Sequence, residues 1–228
     1  MLNENSKLNN HTFDIEKLEQ APTRDGFGRG LVEAGEADPK VVALCADLAE
    51  STRTHWFKEK FPERYVELGV AEQNLATVAS GMANYGKIPF IMSYAAFSPG
   101  RNNEQIRTTI SLNNVPVKVV GCHAGVSVGP DGATHQALED IALMRVQPNM
   151  KVIVPADSEE ARRRLSLRRN ILILFIFVLG ETNLRSSPRK KLLLKLEKHK
   201  FCINQKIHKL LLWRVELWFT TYFSRHMI

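Results

Sequence analysis

Cysteine is scarce: Cys45, Cys122 and Cys202 are the only three in 228 residues. Odd in number and far apart, they exclude a disulfide framework, show no metal-ligand spacing and fit a reducing compartment. Long apolar runs are missing too. The longest, "ILILFIFVLG" at 171–180, is about half of what a bilayer-spanning helix needs. The N-terminus, "MLNENSKLNNHTFDIEKLEQ", lacks the charged-then-apolar order of a secretory leader. A cytoplasmic chain without a membrane span is expected. The length still leaves room for one or two domains and a sizeable core.

Acid is nearly absent from one end. Residues 165–228 hold 3 Asp/Glu against 13 Lys/Arg, a net of +10, and one glycine, Gly180. Residues 1–164 hold 21 against 18, a net of −3, so the overall +7 describes neither part. A basic tail with a stretch such as "KKLLLKLEKHKF" normally points to nucleic acid or a membrane surface. Here a different origin and neither partner are expected.

Short β-rich runs alternate with helical patterns. "VVALC" (41–45), "KIPFIMS" (87–93), "VKVVGC" (117–122) and "KVIVP" (151–155) predict buried strands. "GFGRGLVEAGEA", "AEQNLATVASGMANYG", "NNEQIRTTISLNN" and "HQALEDIALMRVQ" predict helices between them. In the second, Leu75, Val78, Ala79 and Met82 mark one face, and Gly86 a stop. The alternation predicts an α/β fold, a mostly parallel sheet with helices on both faces. Ligands in such folds sit beyond the carboxyl ends of strands. Those positions are polar here: Asp47 after the first strand, "SYAAFSPGRN" after the second, "HAGVSVGPDGATHQ" after the third. Glycines in the last segment allow sharp turns, although they are too common to signal a nucleotide site. A surface loop with satisfied polar groups would read the same way.

Two blocks narrow the choice. "YVELGVAEQNLATVASGMANYGKIPFIMSYAAF" and "GCHAGVSVGPDGATHQALEDIALMRVQPNMKVIVPAD" resemble the pyrimidine-binding domain of transketolase, from about Pro22 to Arg162. The acid-led helix, the aromatic segment, the "GPDGATHQ" loop and the closing "PAD" keep the family's order. The resemblance implies the C-terminal half of a split transketolase, moving a two-carbon ketol unit between phosphosugars with thiamine diphosphate. It implies an N-terminal partner subunit that holds the diphosphate and Mg²⁺ or Ca²⁺, within a homo- or hetero-oligomer, and no metal ligands on this chain. 1-Deoxyxylulose-5-phosphate synthase shares the acid-led helix and a similar loop; "CHAGVSVGPDGATHQ" and "SYAAF" favour transketolase.

The resemblance also implies roles. Glu72 matches the catalytic glutamate at N1′ of the aminopyrimidine, and Tyr94 and Phe97 match aromatics that stack on or line that ring. Asp47 matches an acid near the thiazolium. His123, Asp131 and His135 match the donor-sugar loop, His135 with a share in proton transfer, and Arg24 and Ser51 match sugar-phosphate positions. Simpler readings stand beside these. Glu72 can be a first-turn carboxylate at a helix N-terminus. Thr134 can cap a helix starting at His135. Asp131-Gly132 can be a tight turn, and Tyr94 and Phe97 core aromatics.

The expected organisation is an N-terminal extension over 1–21, the pyrimidine-binding domain over 22–164, and a tail outside the family over 165–228. The family continues with a strand ending like Y-I-R-F-G-R-E. Read with the third base of each codon joined to the next two, Arg169 through Leu184 permits K-Y-P-Y-P-L-Y-I-R-F-G-R-D-K-P. The Phe177–Val178 junction can encode only Arg or Cys in that frame. A frame slip shortly after Arg162 is therefore expected. It would remove the domain's last strand, a phosphate-binding arginine and the C-terminal domain, leaving a poorly soluble, weakly active or inactive product.

Overall fold

The computed structural model describes residues 21–165, apart from the Ser127 side chain, and the backbone alone of Ile173–Ile176. The expectations for 1–20, for the amphipathic stretch at 190–201 and for Cys202 lie outside the described residues. Those described belong to one compact unit.

Continuous apolar runs give strands buried at every position: β1 (Val41–Cys45), β3 (Ile88–Tyr94) and β4 (Lys118–Cys122). Such runs suit parallel strands covered on both faces. The partly exposed β2 (Tyr65–Glu67) and β5 (Lys151–Ile153) take the two edges. With β6 (Ile173–Ile176) they complete a six-stranded sheet of order β2-β1-β3-β4-β6-β5. Every described pairing is parallel.

The position of β6 corrects one expectation. The sequence suggests that the tail deprives the sheet of its last strand. Ile173–Ile176 instead lies between β4 and β5 and pairs with both. A slot between two parallel strands asks for a short apolar, β-branched run. The tail's "ILFI" has that composition whatever its origin.

Helices cover both faces. α1 (Thr23–Ala37), α2 (His55–Lys60) and α6 (Ser158–Leu165) bury Phe27, Leu31, Phe57 and Leu165 against Val41, Ala43, Phe90 and Met92. On the other face lie α3 (Glu72–Asn84), α4 (Asn103–Gln105) with the wider-wound Ile106–Ser111, and α5 (Asp140–Arg145). Leu75, Ala79, Ile106, Ile110 and Met144 meet Val42, Leu44, Ile91 and Val119 there. Adjacent strand residues thus feed opposite cores, as the two-residue period dictates.

The buried stripe of α3 runs Leu75, Ala76, Ala79 and Ala83, while Val78, expected on that face, is 38% exposed. The helix ends as Gly86 predicts: at φ +78°, its N–H bonds the Ala83 carbonyl and the Lys87 N–H bonds that of Met82. In α1, a Cβ on Gly30 would come within 2.6 Å of the Arg162 carbonyl oxygen and 2.7 Å of a Leu165 methyl. Glycine there lets α6 dock closely, and Arg162 secures it through Glu33 at 2.9 Å. Among the described residues, no helix is long and apolar enough to cross a membrane.

Candidate functional site

A parallel sheet brings the carboxyl ends of its strands to one edge, and the polar segments found in the sequence gather there. Glu72 opens α3, and its carboxyl is only 2% exposed. A helix N-terminus favours an acid but does not require it to be buried. Arg101 Nη1 donates to Oε2 at 2.6 Å. Asn102 holds the residue's backbone, its Nδ2 bonding the Glu72 carbonyl at 2.9 Å and Ser98 Oγ at 3.1 Å.

Four rings form the adjoining wall. Tyr94, at the end of β3, lies parallel to Phe97, with centroids 6.3 Å apart and 6° between planes. The His123 ring is 4.2 Å from Tyr94. His135 stands edge-on to Phe97 at 5.1 Å and to Tyr94 at 5.9 Å. The Arg101 guanidinium lies 4.6 Å over Phe97 and so joins Glu72 to the rings.

His123 follows β4 at φ +54°, an uncommon conformation for a residue with a side chain. It is 1% exposed. Arg24 Nη1 lies 3.4 Å from Nε2 and also donates to the Ser51 carbonyl at 3.4 Å. A guanidinium has no acceptor, so Nε2 accepts and the ring proton belongs on Nδ1. That Nδ1, like Arg24 Nε, is buried without a hydrogen-bond partner. Burial first, then the Arg24 charge, pushes the imidazole down to about 4, with Asp131 pulling the other way. His123 is therefore a neutral, unspent N–H donor at neutral pH.

The remaining expected residues sit further out. Asp131 is exposed and reaches His123 through its charge. The simpler reading of Asp131-Gly132 also holds, since Gly132 turns at φ +72° and its N–H bonds Gly129. Thr134 does not cap a helix: α5 begins at Asp140, and the Thr134 hydroxyl lies 2.8 Å from His135 Nδ1. Asp47 is exposed at φ +58°, and no described contact joins it to the rings.

Three residues were missed. Arg101 and Asn102 set the surroundings of Glu72. Glu67 ends β2, and its Oε1 accepts the N–H groups of Asp47 at 2.8 Å and Gly69 at 3.0 Å. Tyr65 donates to its Oε2 at 2.6 Å. Burial pushes this carboxyl up, but the bonds from Tyr65, Asp47 and Gly69 outweigh it and hold it below the usual range. Glu67 thus ties the loop after β1 to the turn that leads into Glu72. Its only signal was its place in "VELGVAEQN".

Among the described residues, no group of three or more His, Cys, Asp or Glu is arranged to hold a metal ion. The unspent donors, the two parallel rings and the buried carboxyl are the groups here that can meet a flat ring and hydrogen-bonding partners.

The transketolase pyrimidine-binding domain family matches residues 19–186. A protein of Methanocaldococcus jannaschii, provisionally named a transketolase C-terminal section, is 48% identical over 134 residues, 59% of this chain and 42% of that one. A 1-deoxy-D-xylulose-5-phosphate synthase of Thioalkalivibrio sulfidiphilus is 41% identical over 140 residues, 61% of this chain and 22% of that one. A solved structure of a split-gene transketolase, described as an inactive β4 tetramer, superposes with a TM-score of 0.60 at 43% identity, covering 71% of this chain and 52% of that one. The chain spans about half, or less, of the length of these relatives.

Proposed function

Because the chain belongs to the transketolase pyrimidine-binding domain family, we propose that it is the C-terminal half of a split transketolase. It builds the pyrimidine side of a thiamine diphosphate site and works in an oligomer with an N-terminal subunit. The observation that carries this reading is Glu72, a buried acid at a helix start, joined to the Tyr94–Phe97 pair. Thiamine diphosphate supplies the nucleophilic carbon for cleaving and forming carbon–carbon bonds. With the cofactor bound, Glu72 would face a ring nitrogen and exchange a proton with it through its carboxyl, and Tyr94 and Phe97 would orient the ring. Asp47 would lie toward the thiazolium. The Nδ1–H of His123 meets a sugar hydroxyl. His135 would do the same and share in proton transfer, with Asp131 beside them, and Arg24 and Ser51 would receive the sugar phosphate. The partner subunit holds the diphosphate and its Mg²⁺ or Ca²⁺. We place the protein in the cytoplasm, in keeping with the free, buried Cys45 and Cys122.

Ketol transfer between pentose phosphates, measured after mixing this chain with its partner, tests the proposal. Glu72→Ala should lower kcat by about 10²–10⁴, the usual share of a proton-transferring group; unchanged kcat would remove Glu72 from the chemistry. The similarity to 1-deoxy-D-xylulose-5-phosphate synthases supports a second reading, in which pyruvate and glyceraldehyde phosphate are the substrates. Product analysis with each substrate pair separates the two. An inactive gene product that only binds the partner is the outcome if neither pair reacts.

A further inference from the structure

We propose that Arg101 is the resident occupant of the pyrimidine-ring subsite, a plug that the cofactor's ring must displace. The proposal rests on the reading of Glu72 and Phe97 given above.

The guanidinium is flat and carries N–H groups. It makes the two contacts such a ring would need, a 2.6 Å hydrogen bond to Glu72 Oε2 and a face-on approach to Phe97 at 4.6 Å. It therefore covers the same oxygen and the same aromatic face. The two occupants are mutually exclusive at Oε2. Arginine has only donors, so it faces a bare carboxylate oxygen, whereas an accepting ring nitrogen asks the carboxyl to bring the proton itself.

The two sides of the pair differ in freedom. The Glu72 side chain is 2% exposed and that of Arg101 46%. Asn102 holds the Glu72 backbone through a separate bond to its carbonyl, which the Arg101 guanidinium does not share. Arg101 can thus swing into water while Glu72 keeps its place. The pairing also has a reason in the empty site, since a buried carboxylate left without a partner is costly. Arg101 keeps the subsite folded and closed until a ring arrives.

The test uses the full-length chain mixed with its N-terminal partner subunit and two probes, thiamine diphosphate with Mg²⁺ and the free aminopyrimidine 4-amino-5-hydroxymethyl-2-methylpyrimidine. Calorimetry compares the wild type with Arg101→Met, which keeps the stem and removes the guanidinium. If the plug is seated in about nine molecules of ten, its removal tightens pyrimidine binding about tenfold. The second measurement needs no variant: the ¹⁵Nε–H signal of Arg101 in the wild type should shift and lose protection from exchange as the pyrimidine saturates. Equal or weaker binding by a folded Arg101→Met, or an unmoved Arg101 signal at saturation, overturns the plug and leaves the site's reading intact. Failure of both probes to bind wild type and variant overturns both.

Discussion

Acid should destabilise this fold through His123 in particular. The imidazole is 1% exposed and pushed from 6.5 down to about 4. A base with a depressed folded value takes up its proton first in the unfolded chain. Between about pH 6.5 and 4 the unfolded state therefore binds more protons, and stability falls as pH falls through that window. Above it both states hold a neutral ring and the contribution vanishes. The displacement corresponds to about 3 kcal/mol at about 1.4 kcal/mol per unit, and water reaching the ring would reduce it, so a loss of about 1–3 kcal/mol by pH 4 is expected.

The control is His123→Asn. At φ +54° asparagine is among the few side-chain residues that accept the backbone conformation, and it does not titrate. Urea unfolding at pH 7.5 and pH 4 should show the wild type losing about 1–3 kcal/mol more than the variant. Glu67 and Glu159 are both held low, and their stabilisation is also lost as pH falls. They are common to both proteins, so the difference belongs to His123. Equal losses in the two proteins, or an NMR midpoint for His123 near 6.5, would refute the reasoning.

Three further outcomes are expected. Glu67→Ala removes the acceptor shared by the Asp47 and Gly69 N–H groups; water can replace it at this exposed position, so stability should drop by about 1 kcal/mol or less while kcat falls further, and a matching small change in both would deny Glu67 a positioning role. Gly30→Ala sets a Cβ against the Arg162 carbonyl, and overpacking of about 1–3 kcal/mol should outweigh alanine's better helix propensity; an unchanged Tm would mean that α6 does not dock closely on α1. Resequencing the gene across codons 160–170 should reveal a one-base slip that restores the alternative reading of Arg169–Leu184, whereas an intact frame encoding the present tail would remove that explanation.

The sheet was legible where burial is continuous. β1, β3 and β4 are wholly buried, so apolar composition alone marks them. β2 escaped because three half-exposed residues show no period. β6 was misjudged for a different reason. Departure from a family's wording does not remove its strand, because an internal slot in a parallel sheet selects for composition more than for identity. Val78 shows the complementary limit: an apolar residue at helical spacing was assigned to the core, while small Ala76 and Ala83 fill that face. Alanine lets α3 approach the sheet, and a scale that ranks residues by hydrophobicity undervalues it.

The site was legible as a set of residue types, and less so as a set of relations. Glu72, Tyr94, Phe97, His123 and His135 each sit beside a strand or helix end, where position implies a ligand. What sequence could not show is which charge meets which. Arg101 and Asn102 lie 29 and 30 residues from Glu72, inside "SPGRN", a stretch that resembles an ordinary loop. They become partners of Glu72 because α4 and the turns before it fold over the start of α3. Arg24 reaches His123 across 99 residues in the same way. The proton on Nδ1 follows from that contact, because an arginine on Nε2 sends the ring proton to the other nitrogen. Without the long-range contact, His123 would be a histidine of unspecified tautomer. With it, the residue has one donor and one direction in which to use it.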